Sequence, residues 1–314
     1  MAAEALGWWG IPIGILGGAL RGSAPFLFVS LGECLTEKSG KINLGLEGTL
    51  LTGAMSAYAI SYYLRDYPLV GPWVGVLVAG LAGGLLGCIH SWLAQQPKVN
   101  DVAVGIAMII FGSGIAFFFG KPFIQPPAPQ LPTLPFGAWS SLPQVQSALA
   151  ISPLFLIGVL LTPLLAWFFR STRWGLFVRA VGDSPEAARA MGVSIQEVRT
   201  YAIIIGSVLA GIGGAYLSLV YPGSWNERIS SGQGLMAVAL VIFARWNPIH
   251  CLYAALLFGG AQAIGPALQS VGVDSYYYLW NASPYFLTLG IMILTCSPKQ
   301  TLVGAPGALG KPSA

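Results

Sequence analysis

The sequence is poor in charged residues, and this shortage decides its class. Only 8% of the 314 residues are charged, whereas a soluble domain carries roughly 25%. Because 55% are hydrophobic and the mean hydropathy is +0.71, the chain cannot cover a water-facing surface. We interpret it as a polytopic membrane protein whose outer surface faces lipid. The net charge of +4 is too small to indicate a nucleic-acid partner.

Cysteine and histidine are also scarce. The four cysteines lie in or beside apolar runs without Cys-x-x-Cys spacing, so we interpret them as packing residues. His90 and His250 are too few to predict a metal site, and no Ser–His or His–Asp arrangement indicates an intramembrane enzyme. The apolar runs also lack the central Asp, Glu or His that an ion-coupled transporter commonly uses. We therefore expect neither a catalytic nor a metal site.

Apolar runs of about 20 residues predict the membrane segments. Nine runs are found, but the first is interrupted at 21–25 and the seventh is short, so eight to ten crossings are expected. The 41 glycines supply small-xxx-small spacing for close helix contacts. The predicted fold is all-α, a transmembrane helical bundle forming a single domain over 1–314. The runs are 11–35, 44–63, 69–94, 101–120, 148–170, 198–220, 233–245, 248–270 and 282–298.

Basic residues predict the orientation of the bundle. When the loop 171–197 is placed in the cytoplasm, only Arg65, Lys121 and Arg228 fall outside and Arg21 falls within a span. The N-terminus is then predicted outside and the C-terminus in the cytoplasm. The inner set is Lys38, Lys41, Lys98, Arg170, Arg173, Arg179, Arg189, Arg199, Arg245, Lys299 and Lys311.

A proline-rich external loop is predicted over 121–147. Its first part, 121–143, holds seven of the 22 prolines, which makes it extended, stiff and poor in backbone donors. The loop is either a plain connector or a platform for an external partner, and the sequence leaves both interpretations open.

The predicted cytoplasmic loop 171–197 has the helix signals that the external loop lacks. Ser184 suits an N-cap, Pro185 the first helical position, and Glu186 the positive helix end. Gly192 is typical of a helix C-terminus. The segment "PEAARAM" therefore predicts a short rigid helix, which by pattern alone could also be an amphipathic interfacial helix without a partner.

The residues of this helix resemble a known signature. "EAARAMG" fits the Glu-Ala-Ala-x-x-x-Gly pattern of permease subunits of ATP-binding-cassette (ABC) importers. "LGECLTEKSGKINLGLEGTLLTGAM", "RAVGDSPEAARAMGVSIQEVR" and "GLMAVALVIFARWNPIHCLYAALLFGGAQA" resemble the branched-chain amino acid, simple-sugar and nucleoside permease family, with "PYFLTLGIMIL" a weaker match. The chain looks most like the shorter nucleoside-type permease. Where that family typically has Asn-Glu, this chain has "NDVAVG" from Asn100, which leaves the substrate class open.

The resemblance implies a non-catalytic, multi-pass subunit in a bacterial inner membrane that forms the path for a small polar solute. A nucleoside is the first candidate, followed by a simple sugar and a vitamin-like heterocycle. The implied partners are an ABC ATPase subunit, a second permease that is usually a paralogue, and an extracytoplasmic solute-binding protein. No cofactor is expected in this chain, which has no phosphate-binding loop, so ATP would bind the ATPase subunit. The implied ATPase-coupling residues are Ser184, Glu186, Ala187, Ala188, Arg189 and Gly192.

Glu47 lies at the start of an apolar run, in "NLGLEGTLLTGAM", where a carboxylate needs a partner. It could be structural, stabilised by a helix N-terminus or by Lys38 or Lys41, or it could line the translocation path. The segment 39–54 faintly echoes 230–244, which suggests an inverted repeat, and transporter sites tend to form where broken helices of two repeats meet. The predicted path residues are Glu33, Asn43, Glu47, Asn100 and Gln233.

Overall fold

The computed structural model describes residues 7–273, 275–295 and 304–309, and these form a bundle of α-helices. The only sheet in the described part is a two-residue antiparallel pair, β1 (Leu134–Pro135) with β2 (Ala150–Ile151). The helices are α1 (Gly10–Lys38), α2 (Leu46–Tyr63), α3 (Gly71–Ala94), α4 (Asp101–Gly120), α5 (Pro143–Ala148), α6 (Pro153–Ser171), α7 (Arg173–Asp183), α8 (Pro185–Ala190), α9 (Ile195–Leu219), α10 (Gln233–Phe243), α11 (Pro248–Ser270), α12 (Tyr277–Asn281) and α13 (Ser283–Thr295).

The all-α class predicted from the sequence is confirmed, and each of the nine apolar runs coincides with a helix. Among the described residues, six helices are long and apolar enough to cross a membrane: α1, α3, α4, α6, α9 and α11. Whether α2, α10 and α13 also cross the membrane stays a prediction, as does the orientation of the termini. Residues 296–298 of the ninth run, with Lys299 and Lys311, lie outside the described residues.

The first helix is continuous, so the expected interruption at 21–25 is wrong. Pro25 lies inside α1 and removes one intrahelical hydrogen bond. Other helices pack against α1 on both sides of this point, α11 at Gly18 and α9 at Gly32, which keeps the helix intact. The charge of Arg21 is also accommodated, because its Nε donates to the carbonyl of Gly17 at 3.3 Å and its guanidinium lies 5.6 Å from the ring centroid of Tyr221.

Glycine seams hold the helices together. Gly32 of α1 faces Gly206 of α9, and a Cβ at either position would overlap the other backbone. Where α1 crosses α11, Gly22 lies against Gly259, and a Cβ at Gly259 would come within 2.7 Å of the Ser23 backbone nitrogen. Such small-residue contacts allow backbones to pack closely where lipid gives no hydrophobic driving force. The small-xxx-small pattern therefore acts here at helix crossings.

The bundle has two chemically different ends. At the first, the basic end, the ammonium of Lys41 is 2.8 Å from the Asp101 carboxylate and donates to the carbonyl of Ala94. Arg199 donates to the carbonyl of Ser39 at the same end. The opposite, proline end is covered by the loop 121–147, which is anchored through a hydrogen bond from Tyr58 to the carbonyl of Pro126.

The segment 171–197 contains more helix than the sequence predicted. The predicted short helix is present as α8, but an additional helix, α7, precedes it. Thr172 caps α7 by accepting a hydrogen bond from the N–H of Gly175 at 3.0 Å. Only Ser184, in an extended conformation, separates α7 from α8 at the basic end. The two helices together are called the coupling arm below.

Labelling would test the predicted orientation. Ser184 at the basic end and Gln130 at the proline end are both exposed. Ser184→Cys and Gln130→Cys, in a background with the native cysteines replaced, are expected to react oppositely with a membrane-impermeant thiol reagent on intact cells. Gln130→Cys should label and Ser184→Cys should label only after lysis. The reverse pattern would overturn the assignment from basic residues.

Candidate functional site

Glu47 binds the N-terminus of a second helix. One carboxylate oxygen accepts hydrogen bonds from the Ser230 hydroxyl at 2.6 Å and the N–H of Gly232 at 3.1 Å. The other accepts from the N–H of Gly234 at 2.7 Å. Glu47 itself lies in the first turn of α2, so a side chain from the start of one helix binds the start of another. Gly234 permits this approach, since a Cβ there would be 2.7 Å from the Glu47 Cα.

The two helices run in opposite directions from this point. The α2 helix leads to the proline end, where Ser61 donates to the carbonyl of Pro129. The short α10 helix leads to the basic end, where the indole of Trp246 donates to the carboxylate of Glu37. Two helix N-termini that face one another resemble the discontinuous-helix sites of transporters. This opposition agrees with the inverted repeat suggested by the sequence, although the repeat itself stays a prediction.

A polar cavity of about 360 Å³ adjoins the start of α10. Gln233 lines this cavity, and its Oε1 atom is buried without a hydrogen-bond partner among the described residues. The α1–α11 glycine seam forms one wall, and the region of α12 and α13 forms another. The polar and aromatic lining residues are Tyr221, Ser231, Gln233, Gln262, Asn281 and Tyr285.

The five predicted path residues do not converge on one site. Glu33 is buried and accepts from the N–H of Asn43 at 2.8 Å, while the Asn43 amide donates to Ser207, so this pair fixes the loop before α2. Asn100 caps α4 by accepting from the N–H of Val102. Of the five, Gln233 lines the cavity, and Glu47 fixes the helix end that carries Gln233.

The suggested ion pairs of Glu47 with lysine are wrong. Within the described ranges Glu47 forms no salt bridge with Lys38 or Lys41. Lys41 pairs with Asp101, and the ammonium of Lys38 lies 5.1 Å from the ring centroid of Phe169. Ser230 and the N-terminus of α10 supply the stabilisation instead.

The predicted coupling residues are on α8 and its flanks. Ser184 accepts from the N–H of Ala187 at 3.4 Å, which is weak N-cap geometry, and Gly192 has φ +79° just after the helix. Glu186, Ala187, Arg189 and Gly192 are exposed at the basic end, as a docking surface requires. Ala188 is instead fully buried against this chain's own core, so it supports the helix rather than its outer surface.

Several residues of the site escaped the sequence prediction. Ser230, Gly232 and Gly234 lay in the segment that echoes 39–54, so a signal was present but did not reveal which group they bind. Gln262 and Asn281 are single amides in apolar helices and give no periodic signal.

The apolar helices, the opposed helix N-termini and the adjoining polar cavity define a multi-pass membrane protein of the transporter class. Residues 14–296 match the family model described as "Branched-chain amino acid transport system / permease component". The chain belongs to this family and is an ABC transporter permease, as the sequence blocks indicated.

Curated relatives cover most of the chain. A putative glucose ABC transporter permease, TsgC13 of Haloferax volcanii, is 34% identical over 83% of this chain and 79% of its own length. The guanosine ABC transporter permease NupQ of Bacillus subtilis is 29% identical over 92% of this chain and 94% of its own length. The nucleoside ABC transporter permease NupC of Lactococcus lactis is 28% identical over 87% of this chain and 89% of its own length. The relatives thus divide between sugar and nucleoside systems.

Proposed function

We propose that this chain forms one half of the translocation path of an ATP-driven importer for a small neutral solute, with a nucleoside as first candidate and a simple sugar as second. The observation that supports this is the polar cavity next to the helix end held by Glu47. Its volume of about 360 Å³ is within the range of ~300–1,000 Å³ typical of small-molecule sites. Membership of an ABC permease family argues against the ion-coupled alternative.

Glu47 bears on the charge of the solute. A helix N-terminus carries roughly half a positive charge, and in several transporters such an end receives a substrate carboxylate. Here the N-terminus of α10 already binds the carboxylate of Glu47, a residue in the first turn of α2. The carboxylate of an amino acid substrate could therefore not bind at this helix N-terminus. The site therefore favours uncharged solutes, despite the amino acid in the family description.

The cavity lining fits a neutral molecule with hydrogen-bonding edges. Gln233, Gln262 and Asn281 each offer an amide donor and acceptor, and no described acid or base lines the cavity. Tyr221 and Tyr285 add aromatic surface on which a heterocycle can stack. A nucleoside uses both features, whereas a sugar uses the amides more than the rings.

The remaining subunits follow from the same proposal. The exposed part of α8 would dock an ABC ATPase subunit, and a second permease, a paralogue, would complete the path. A solute-binding protein would deliver the solute at the proline end. The loop 121–147 would face that protein, since it covers this end.

Competition for uptake tests the substrate class. Cells or proteoliposomes with the complete transporter should take up radiolabelled guanosine, and excess adenosine should compete while leucine should not. Gln262→Leu removes one neutral hydrogen bond to the solute. The guanosine concentration that gives half-maximal uptake should therefore rise about threefold to tenfold.

Gln96→Leu is the matched control, because Gln96 bonds the carbonyl of Trp92 away from the cavity. Saturable glucose uptake without guanosine uptake would select the sugar candidate. Competition by leucine would contradict the neutral-solute assignment.

A further inference from the structure

A second polar cavity, of about 250 Å³, lies at the basic end of the bundle. It is separate from the cavity at Gln233 and shares no lining residue with it. Four cationic side chains from different parts of the fold line it: Lys38 ends α1, Arg170 lies in the last turn of α6, Arg179 in α7, and Arg245 between α10 and α11.

Helix ends and the positive-inside rule explain why basic residues occur at this end, but not why four of them share one cavity. Like charges in one small space repel one another and need a counter-charge. No carboxylate is among the lining residues, and none of the four cations forms a salt bridge within 7–273, 275–295 or 304–309.

One acidic group beside the cavity, Glu37, is already engaged. Glu37 accepts a hydrogen bond from Trp246, which itself lines the cavity. Arg179 provides a second, independent observation. Its Nε is buried and has no hydrogen-bond partner among the described residues. A buried donor without a partner is costly, so this atom indicates a missing acceptor.

We propose that this cavity binds a phosphate group, and that the group is the headgroup phosphate of an anionic phospholipid. Arginine forks match phosphate geometry, and basic pockets between membrane helices bind such headgroups. The cavity also lies at the ends of α6 and α11, two helices apolar enough to cross the membrane, where a headgroup would be found.

Occupancy would affect the coupling arm. Arg179 belongs to α7, which leads through Ser184 into α8. A bound phosphate would join α7 to α1, α6 and the α10–α11 junction through one set of charge-assisted hydrogen bonds. Anionic lipid would thereby fix the position of α8.

Binding of short-chain lipid to the purified full chain in neutral detergent tests the site. Dioctanoyl phosphatidylglycerol should bind saturably, and dioctanoyl phosphatidylcholine should not. Arg179→Gln with Arg245→Gln should weaken phosphatidylglycerol binding about tenfold or more. Arg173→Gln is the matched control, since Arg173 is exposed on the same helix but does not line the cavity.

Two further arms make the outcome decisive. Arg179→Lys with Arg245→Lys keeps the charges but loses the arginine forks, so it should bind the lipid more weakly than the native chain and more strongly than the glutamine variant, even if that variant folds poorly. Inorganic phosphate that binds with the same variant dependence and displaces the lipid would support the phosphate site with a soluble source. Equal binding of both lipids, equal loss in Arg173→Gln, or lysine variants as weak as glutamine variants would overturn the proposal.

Discussion

Glu47→Leu is expected to abolish transport and to lower the yield of folded protein. The change leaves the Ser230 hydroxyl and the N–H groups of Gly232 and Gly234 without their acceptor. Each buried donor left unsatisfied costs about 1–3 kcal/mol, so the three together should lower the free energy of unfolding by about 3 kcal/mol or more. The helix end that carries Gln233 would then no longer be fixed beside the cavity.

Glu47→Gln should have a smaller effect, because one amide oxygen still accepts while the amide nitrogen faces backbone donors. Glu197→Gln is the matched control, since Glu197 also lies in a first helical turn but is exposed. The measurements are folded yield by size-exclusion chromatography and solute uptake with the partner subunits present. Normal uptake by Glu47→Leu would show that the bridge between α2 and α10 is dispensable.

Ala187→Trp is expected to remove the ATPase without unfolding the permease. Ala187 is exposed on α8, so the indole would project from the docking surface. Overpacking of a tight interface costs about 1–3 kcal/mol, and losses at interface hot spots are larger. The ATPase should therefore fail to co-purify and uptake should fall sharply, while chromatographic behaviour of the permease stays normal.

Two neighbours supply the controls. Ala188→Trp should instead damage the permease itself, because Ala188 is fully buried. Gly192 has φ +79°, which asparagine tolerates better than valine, so Gly192→Asn should retain more coupling than Gly192→Val. Both comparisons, Ala187→Trp with Ala188→Trp and Gly192→Asn with Gly192→Val, are measured by co-purification of the ATPase and by solute uptake. Normal ATPase recovery with Ala187→Trp would leave α8 as an interfacial helix without a coupling role.

The sequence determined the features that depend on neighbouring residues. Its scarcity of charge required a lipid-facing surface, and its apolar runs located nine helices because helix formation needs only local hydrogen bonds. The caps at Ser184 and Gly192 fixed the ends of α8 for the same reason. The motif "EAARAMG" and the adjoining blocks were sufficient to indicate the permease family, which the family match confirmed.

The tertiary structure decided which distant groups meet. Glu47 and Gly234 are remote in sequence but joined by one hydrogen bond, and no local pattern predicts which helix end receives a carboxylate. The same applies to Ala188, whose burial depends on how α8 packs against the bundle. Arg179 and Arg245 likewise share a cavity because of helix packing, which depends on contacts between residues far apart in the chain.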